Sequence, residues 1–289
     1  MKNRIPILYF ILFLTAVIAV SCEKDSYFDK GYYLYQNSKL YPADKVNNIT
    51  IIWNDNDLPE NVKQTVREIA SSMVEIQSGV FDMGTYSSGI EDEGPTHTVF
   101  LSDYHLAKTT ITQKQWQAIM GSHELWNEQY GKGDNYPANY ISYTQALEFI
   151  DKLNSYSNLQ FRLPTEAEWE FAALGGTHSH EYLYSGSNNA DEVAWHKDNA
   201  QEKMHPSAML AHNELGLYDM SGNLWEWCAD YYGEYPDGHV NNPTGPATGE
   251  KRVVRGGSFS YEASYSRCKC RNCLLPNKNS FAVGLRLAM

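Results

Sequence analysis

Apolar positions along this chain change their period several times, and each change marks an element. Ile5 to Val20 is one continuous apolar run of 16 residues. Residues 23–58 have no clear period, apart from a strand predicted at Ile49-Thr50-Ile51-Ile52-Trp53. Asn56-Asp57-Leu58-Pro59-Glu60 is a helix start signal, and Val62, Val66, Ile69 and Met73 then recur at helical spacing. Met73-Val74-Glu75-Ile76 alternates as a strand, Gly79 to Gly84 reads as a second, and Gly94 to Leu101 as a third. Thr112 is placed to cap a helix through Trp116, Ile119 and Met120 that ends at Gly121. Ser142 caps the next helix, with Ala146, Leu147, Ile150 and Leu153 on one face. Thr165 and Glu168 make a capping box for a helix that turns Trp169, Ala172 and Ala173 inward. Arg252 to Phe259 reads as a strand closed by the pair Gly256-Gly257, and Phe281 to Leu287 as the terminal strand. Short strands, a few helices and long connections predict an α+β fold whose loops serve as a binding surface or carry metal staples.

Gly216-Leu217-Tyr218-Asp219-Met220-Ser221-Gly222-Asn223-Leu224-Trp225-Glu226-Trp227 fits neither helical nor strand periodicity. It reads as a tight turn with inward oxygens beside buried Leu and Trp anchors. Carboxylates buried there need a counter-charge, for which a hard cation such as Ca²⁺ is one candidate. The alternative is a polar turn whose acids sit in water or pair with Arg. Glu166, Glu168 and Glu170 invite an acid–base reading, but acids in a first helical turn are accounted for by the helix dipole. His178, His180, His196, His205 and His212 are scattered without metal-site spacing and read as satisfied surface side chains.

Composition adds context to this pattern. With 21 Tyr and 7 Trp in 289 residues, irregular structure held by aromatic anchors is favoured over a helical bundle. The formal charge of −12, without basic runs, argues against a nucleic-acid partner. Lys2 and Arg4, the apolar run and Ala19-Val20-Ser21-Cys22 form a targeting segment that resembles a bacterial lipobox, in which Cys22 is lipidated. The alternative is an ordinary signal peptide or anchor helix with an incidental Cys. Loss of Lys2 and Arg4 takes the charge to about −14. The expected organisation is a leader over 1–21, a tether with a short amphipathic helix over 22–72, and one domain over 73–289.

Five stretches then line up in order: Met73 to Gly84, Arg162 to Glu170, Gly216 to Trp227, Arg252 to Phe259, and Gly284-Leu285-Arg286. Together they resemble the formylglycine-generating enzyme family, also called the sulfatase-modifying factor domain. The resemblance implies a C-type-lectin-like α+β fold with low regular secondary structure. Enzymes of that family oxidise a sulfatase Cys to formylglycine with O₂ and copper, held by two cysteines shortly after the Gly-Gly-Ser. A soft thiolate pair suits Cu(I). Here the two positions hold Tyr261 and Ser266, and no cysteine lies between Cys228 and Cys268, so copper is not expected. The family's calcium site carries over to Asp219, the carbonyls of Gly222 and Leu224, and Glu226. The family's peptide groove carries over to Trp225, Tyr261 and Ser266, where a peptide or glycan is the expected ligand.

Cys268-x-Cys270-x-x-Cys273 is left over. If this stretch is a strand, Cys268 and Cys270 share a face and a disulfide between them is strained, whereas Cys270–Cys273 across a turn is easier. Buried thiols, disulfides that include Cys228, a structural soft metal and a relocated copper site all remain open. The leading expectation is a lipid-anchored, calcium-stabilised, non-catalytic domain that binds or scaffolds a peptide, glycan or envelope protein at the bacterial cell envelope, with the outer membrane as the expected location. The alternatives are a sulfatase-activating oxidase with an altered thiol site and a structural subunit of an envelope assembly.

Overall fold

A computed structural model describes residues 18–20, 32–36, 39–55, 57–86 and 91–289. Most of the expected leader, Cys22 included, lies outside the described residues. No described helix is long and apolar enough to cross a membrane.

The chain opens with an antiparallel sheet in the order β1 (Ile18–Val20), β2 (Tyr32–Gln36), β3 (Lys39–Val46) and β4 (Ile49–Ile52). Beyond β4, Trp53 bridges to Ser157 and donates its indole N–H to Asp44 at 2.8 Å. Helix α1 (Glu60–Ser72) buries Val62, Val66 and Ile69, the stripe expected from their spacing. The stretch read as a tether therefore carries more structure than its weak periodicity suggested. Ile51, Trp53 and the α1 stripe pack into the same core as Trp116, Phe149 and Leu285.

Strands β5 (Met73–Ile76) and β8 (Tyr104–Ala107) pair with each other, and β6 (Gly79–Met83) with β7 (His97–Leu101). Three helices follow, α2 (Gln113–Met120), α3 (Tyr143–Asn154) and α4 (Glu166–Ala173). Their caps are Thr112, Ser142 and Thr165, each closing a capping box with the Gln or Glu three residues on. The short α5 (Ala190–Val193) and β9 (Ala194–Trp195) lead to β10 (Ser221–Gly222). Then come β11 (Trp225–Tyr231), β12 (His239–Asn241), β13 (Arg252–Arg255), β14 (Arg271–Leu274) and β15 (Val283–Gly284).

The sheet β14-β13-β11-β15 is the organising layer. Side chains of a strand alternate between its faces. On β11, Trp225 and Trp227 enter the core of Phe149 and Leu285, while Cys228 enters a second core with Trp169, Phe171 and Val253. The strand separates two cores and leaves Glu226 buried beside Cys228. The expected terminal strand over 281–287 reduces to two residues, because Leu285 and Leu287 pair instead with the loop before α2 and with β8 through single amide bonds. After β13 the chain turns at Gly257, where φ is +75° and an added Cβ would lie 2.6 Å from Ser266 Oγ. Only glycine fits that turn.

Candidate functional site

Glu226 is fully buried on β11, and its counter-charge is Arg286. Arg286 donates through Nε to Oε2 at 2.9 Å and through Nη2 to Oε1 at 2.7 Å. The Trp169 indole also donates to Oε2, at 2.8 Å. The Arg-paired alternative weighed from sequence therefore describes Glu226. Asp219 differs. It is 5% exposed, sits at φ +55°, and accepts the Ala208 amide at 2.8 Å. Burial pushes its carboxyl up to about 6, opposed by the Ala208 amide and by the charge of Arg286. No cation lies within ion-pair distance of Asp219 among the described residues. For Ca²⁺, Asp219 and the carbonyls of Gly222 and Leu224 are hard oxygen donors of the right kind. Glu226 fits only as a shared ligand, since Oε1 has one hydrogen bond and Oε2 has two.

At the positions expected from sequence to match the copper cysteines, the Tyr261 ring meets Trp225 edge-on at 5.6 Å and Tyr265 at 5.3 Å. Ser266 is wholly buried, and its Oγ has no hydrogen-bond partner among the described residues. Trp225 is also buried, and its indole N–H meets no acceptor among the described residues. Of the three expected groove residues, Tyr261 reaches the surface, 38% exposed, next to Tyr265 at 42%. Tyr265 was not singled out from sequence.

The four described cysteines are free. Cys228, Cys268 and Cys270 are buried, and Cys273 is partly so. Cys268 lies in a turn rather than on a strand, closed by the Cys270 amide donating to the Arg267 carbonyl at 3.0 Å. That turn sends Cys268 into one core and Cys270 into the other, so neither the shared-face geometry nor the Cys270–Cys273 bridge forms. Burial pushes the thiols up, to about 11 for Cys270 and well above the usual range for Cys228. Among the described residues no three His, Cys, Asp or Glu side chains are grouped to hold a metal. The calcium reading is a different case, since it uses two side chains and two carbonyls.

The acids of α4 do more than complement a helix dipole. Glu166 accepts Arg271 through Nε at 2.8 Å and Nη2 at 2.7 Å, Arg255 at 3.0 Å, and the Tyr235 hydroxyl at 3.1 Å. Glu170, wholly buried, pairs with Arg255 and accepts the Gly84 amide at 2.8 Å. Glu168 holds Arg162 at 2.6 and 2.7 Å. Asp230, at the end of β11, accepts the Glu166 amide at 2.9 Å. Burial first, then the Glu166 charge, pushes the Asp230 carboxyl up to about 7. His196 is likewise buried rather than a surface side chain, with Nε2 2.9 Å from Asp191. His178, His180, His205 and His212 are exposed or half-buried.

A sequence model described as the sulfatase-modifying factor enzyme 1-like domain matches residues 58–289. The chain is 32% identical over 214 residues to "Chaperone protein LppX" of Paenibacillus barcinonensis, covering 57% of this chain and 73% of that protein. It is 28% identical over 309 residues to the formylglycine-generating enzyme of Thermomonospora curvata, covering 81% of this chain and 97% of the enzyme. Among solved structures, Treponema denticola variable protein 1 superposes with a TM-score of 0.67 at 27% identity, covering 85% of this chain and 97% of that one.

Proposed function

The chain belongs to the sulfatase-modifying factor enzyme 1-like domain family, and from that premise we propose that it is a non-catalytic member, lipid-anchored through Cys22 at the bacterial envelope, that binds or scaffolds a peptide, glycan or envelope protein. The carrying observation is the replacement of the copper cysteines. Tyr261 stands edge-on to Trp225 and Tyr265 and Ser266 is buried, so neither position offers a thiolate. The remaining described thiols are mostly buried and held protonated, which opposes metal ligation and nucleophilic chemistry. The exposed Tyr261 and Tyr265 rings suit stacking against a sugar or peptide face. A relative named as a chaperone supports a role other than oxidation.

A structural calcium ion belongs to the same reading. Asp219 and the carbonyls of Gly222 and Leu224 would hold it, with Glu226 shared with Arg286. The ion would neutralise a buried acid that no cationic side chain among the described residues pairs with.

Two measurements test the proposal. Metabolic labelling with a fatty-acid analogue is expected to mark the wild type and not Cys22→Ala. Co-purification from detergent extracts is expected to recover a partner that Tyr261→Ala with Tyr265→Ala loses. Unlabelled wild type would remove the anchor, and a lone monomer with no retained neighbour or glycan would count against the binding role.

A further inference from the structure

A cavity of about 560 Å³ lies between the start of α4, the end of β11 and the loop over residues 233–246. It stands apart from Tyr261, Ser266 and the calcium donors, and its volume is in the range of small-molecule sites. Asp230 lines it. Oδ2 of Asp230 accepts the Glu166 amide, and Oδ1 meets no protein donor among the described residues. The residue is 3% exposed and forms no ion pair within 4 Å among the described residues.

The other charged groups around it are already engaged. Glu166 holds Arg255 and Arg271, and Glu168 holds Arg162. Arg271 gives further N–H groups to the Asp92 and Gly233 carbonyls, and its guanidinium lies 4.6 and 4.0 Å from the Tyr232 and Tyr235 ring centres. His97 places Nδ1 3.2 Å from the Pro95 carbonyl and packs its ring on Tyr235. Tyr231 faces Arg252. Asp230 is therefore the wall's unclaimed acceptor, and the exposed Glu234 adds a second carboxylate. Tyr231, Tyr235, Met83 and Pro246 give apolar wall around them.

A buried carboxyl without a cation ionises only at a cost in free energy. A ligand that brings a positive charge and an alkyl chain recovers it. We propose that this cavity binds an aliphatic ammonium group, paired with Asp230 Oδ1 while its alkyl chain lies on the tyrosine and proline walls. A free diamine and a lysine side chain share this chemistry.

Calorimetric titration of the full chain in detergent tests the assignment, with cadaverine, the neutral isostere 1,5-pentanediol and Nα-acetyl-lysine amide as probes. Cadaverine is expected to bind saturably, and the diol at least about tenfold more weakly. Asp230→Asn keeps an oxygen for the Glu166 amide and is expected to weaken cadaverine by at least about tenfold. Tighter binding of the lysine amide than of cadaverine would identify a side chain as the source, and the reverse order a free diamine. Equal binding of diol and diamine to the wild type would overturn the proposal without recourse to any variant. So would the absence of saturable cadaverine binding, or a folded Asp230→Asn that binds as the wild type does.

Discussion

Buried acids govern this molecule at the scale of single residues, and each has a different partner. Arg255 joins Glu166 and Glu170 with no exposure of its own. Removing Arg255 leaves Glu170 buried without its cation, while Glu166 keeps Arg271, so Arg255→Met is expected to cost about 3–5 kcal/mol in urea unfolding. Asp230 has no such partner. Its carboxyl is pushed from an ordinary 3.8 up to about 7, so between those pH values the native chain keeps a proton that the unfolded chain gives up. That contribution is fully present below the ordinary value and is lost as pH rises through about 7. Asp230→Asn has no proton to lose. Its Tm relative to wild type is expected to rise between pH 5 and pH 8, and a constant difference across that range would contradict the assignment. The sequence disclosed where these acids stand but not whom they meet. Glu166 and Arg271 are 105 residues apart in the chain, and no local period reports such a pairing.

Local chemistry was most legible at the scale of elements. Thr112, Ser142 and Thr165 each start a helix at the residue their side-chain oxygens predict, because a cap is decided within four residues. Thr165→Ala is expected to lower stability by about 1 kcal/mol with the urea m-value unchanged. A changed m-value would mean that the cap sets more than α4. Strands were harder to read. The Tyr-rich stretch before Ile49 forms β2 and β3 although it shows no alternation, since strand pairing depends on a partner rather than on period alone. The segment from Cys268 to Cys270 was considered as a strand and is a turn. The turn is closed by the Cys270 amide on the Arg267 carbonyl and splits Cys268 and Cys270 between the two cores, a tertiary outcome that sequence spacing does not encode.

For the whole molecule, β11 divides two cores and carries Glu226, Trp225 and Asp230, which belong in turn to the Arg286 pair, the aromatic contacts of Tyr261 and the cavity. The family fold was legible because its motifs fall where these elements meet. The division of labour between Asp219 and Glu226 was not, since Arg286 arrives from the far end of the chain. The two acids are accordingly expected to behave differently. Chelator should lower the wild-type Tm, and Asp219→Ala should abolish that response. Glu226→Ala should destabilise the protein with or without chelator, because it leaves Arg286 buried and unpaired. An unchanged wild-type Tm in chelator would remove the calcium ion from the account. The central claim is that Tyr261 and Ser266 replace the chemistry of the copper cysteines. It is tested most directly by incubating the full chain with copper, O₂, a thiol reductant and a Cys-x-Pro-x-Arg peptide, and reading the peptide by mass spectrometry. The account predicts a peptide of unchanged mass, while a time-dependent mass loss matching conversion of the thiol to an aldehyde would contradict it.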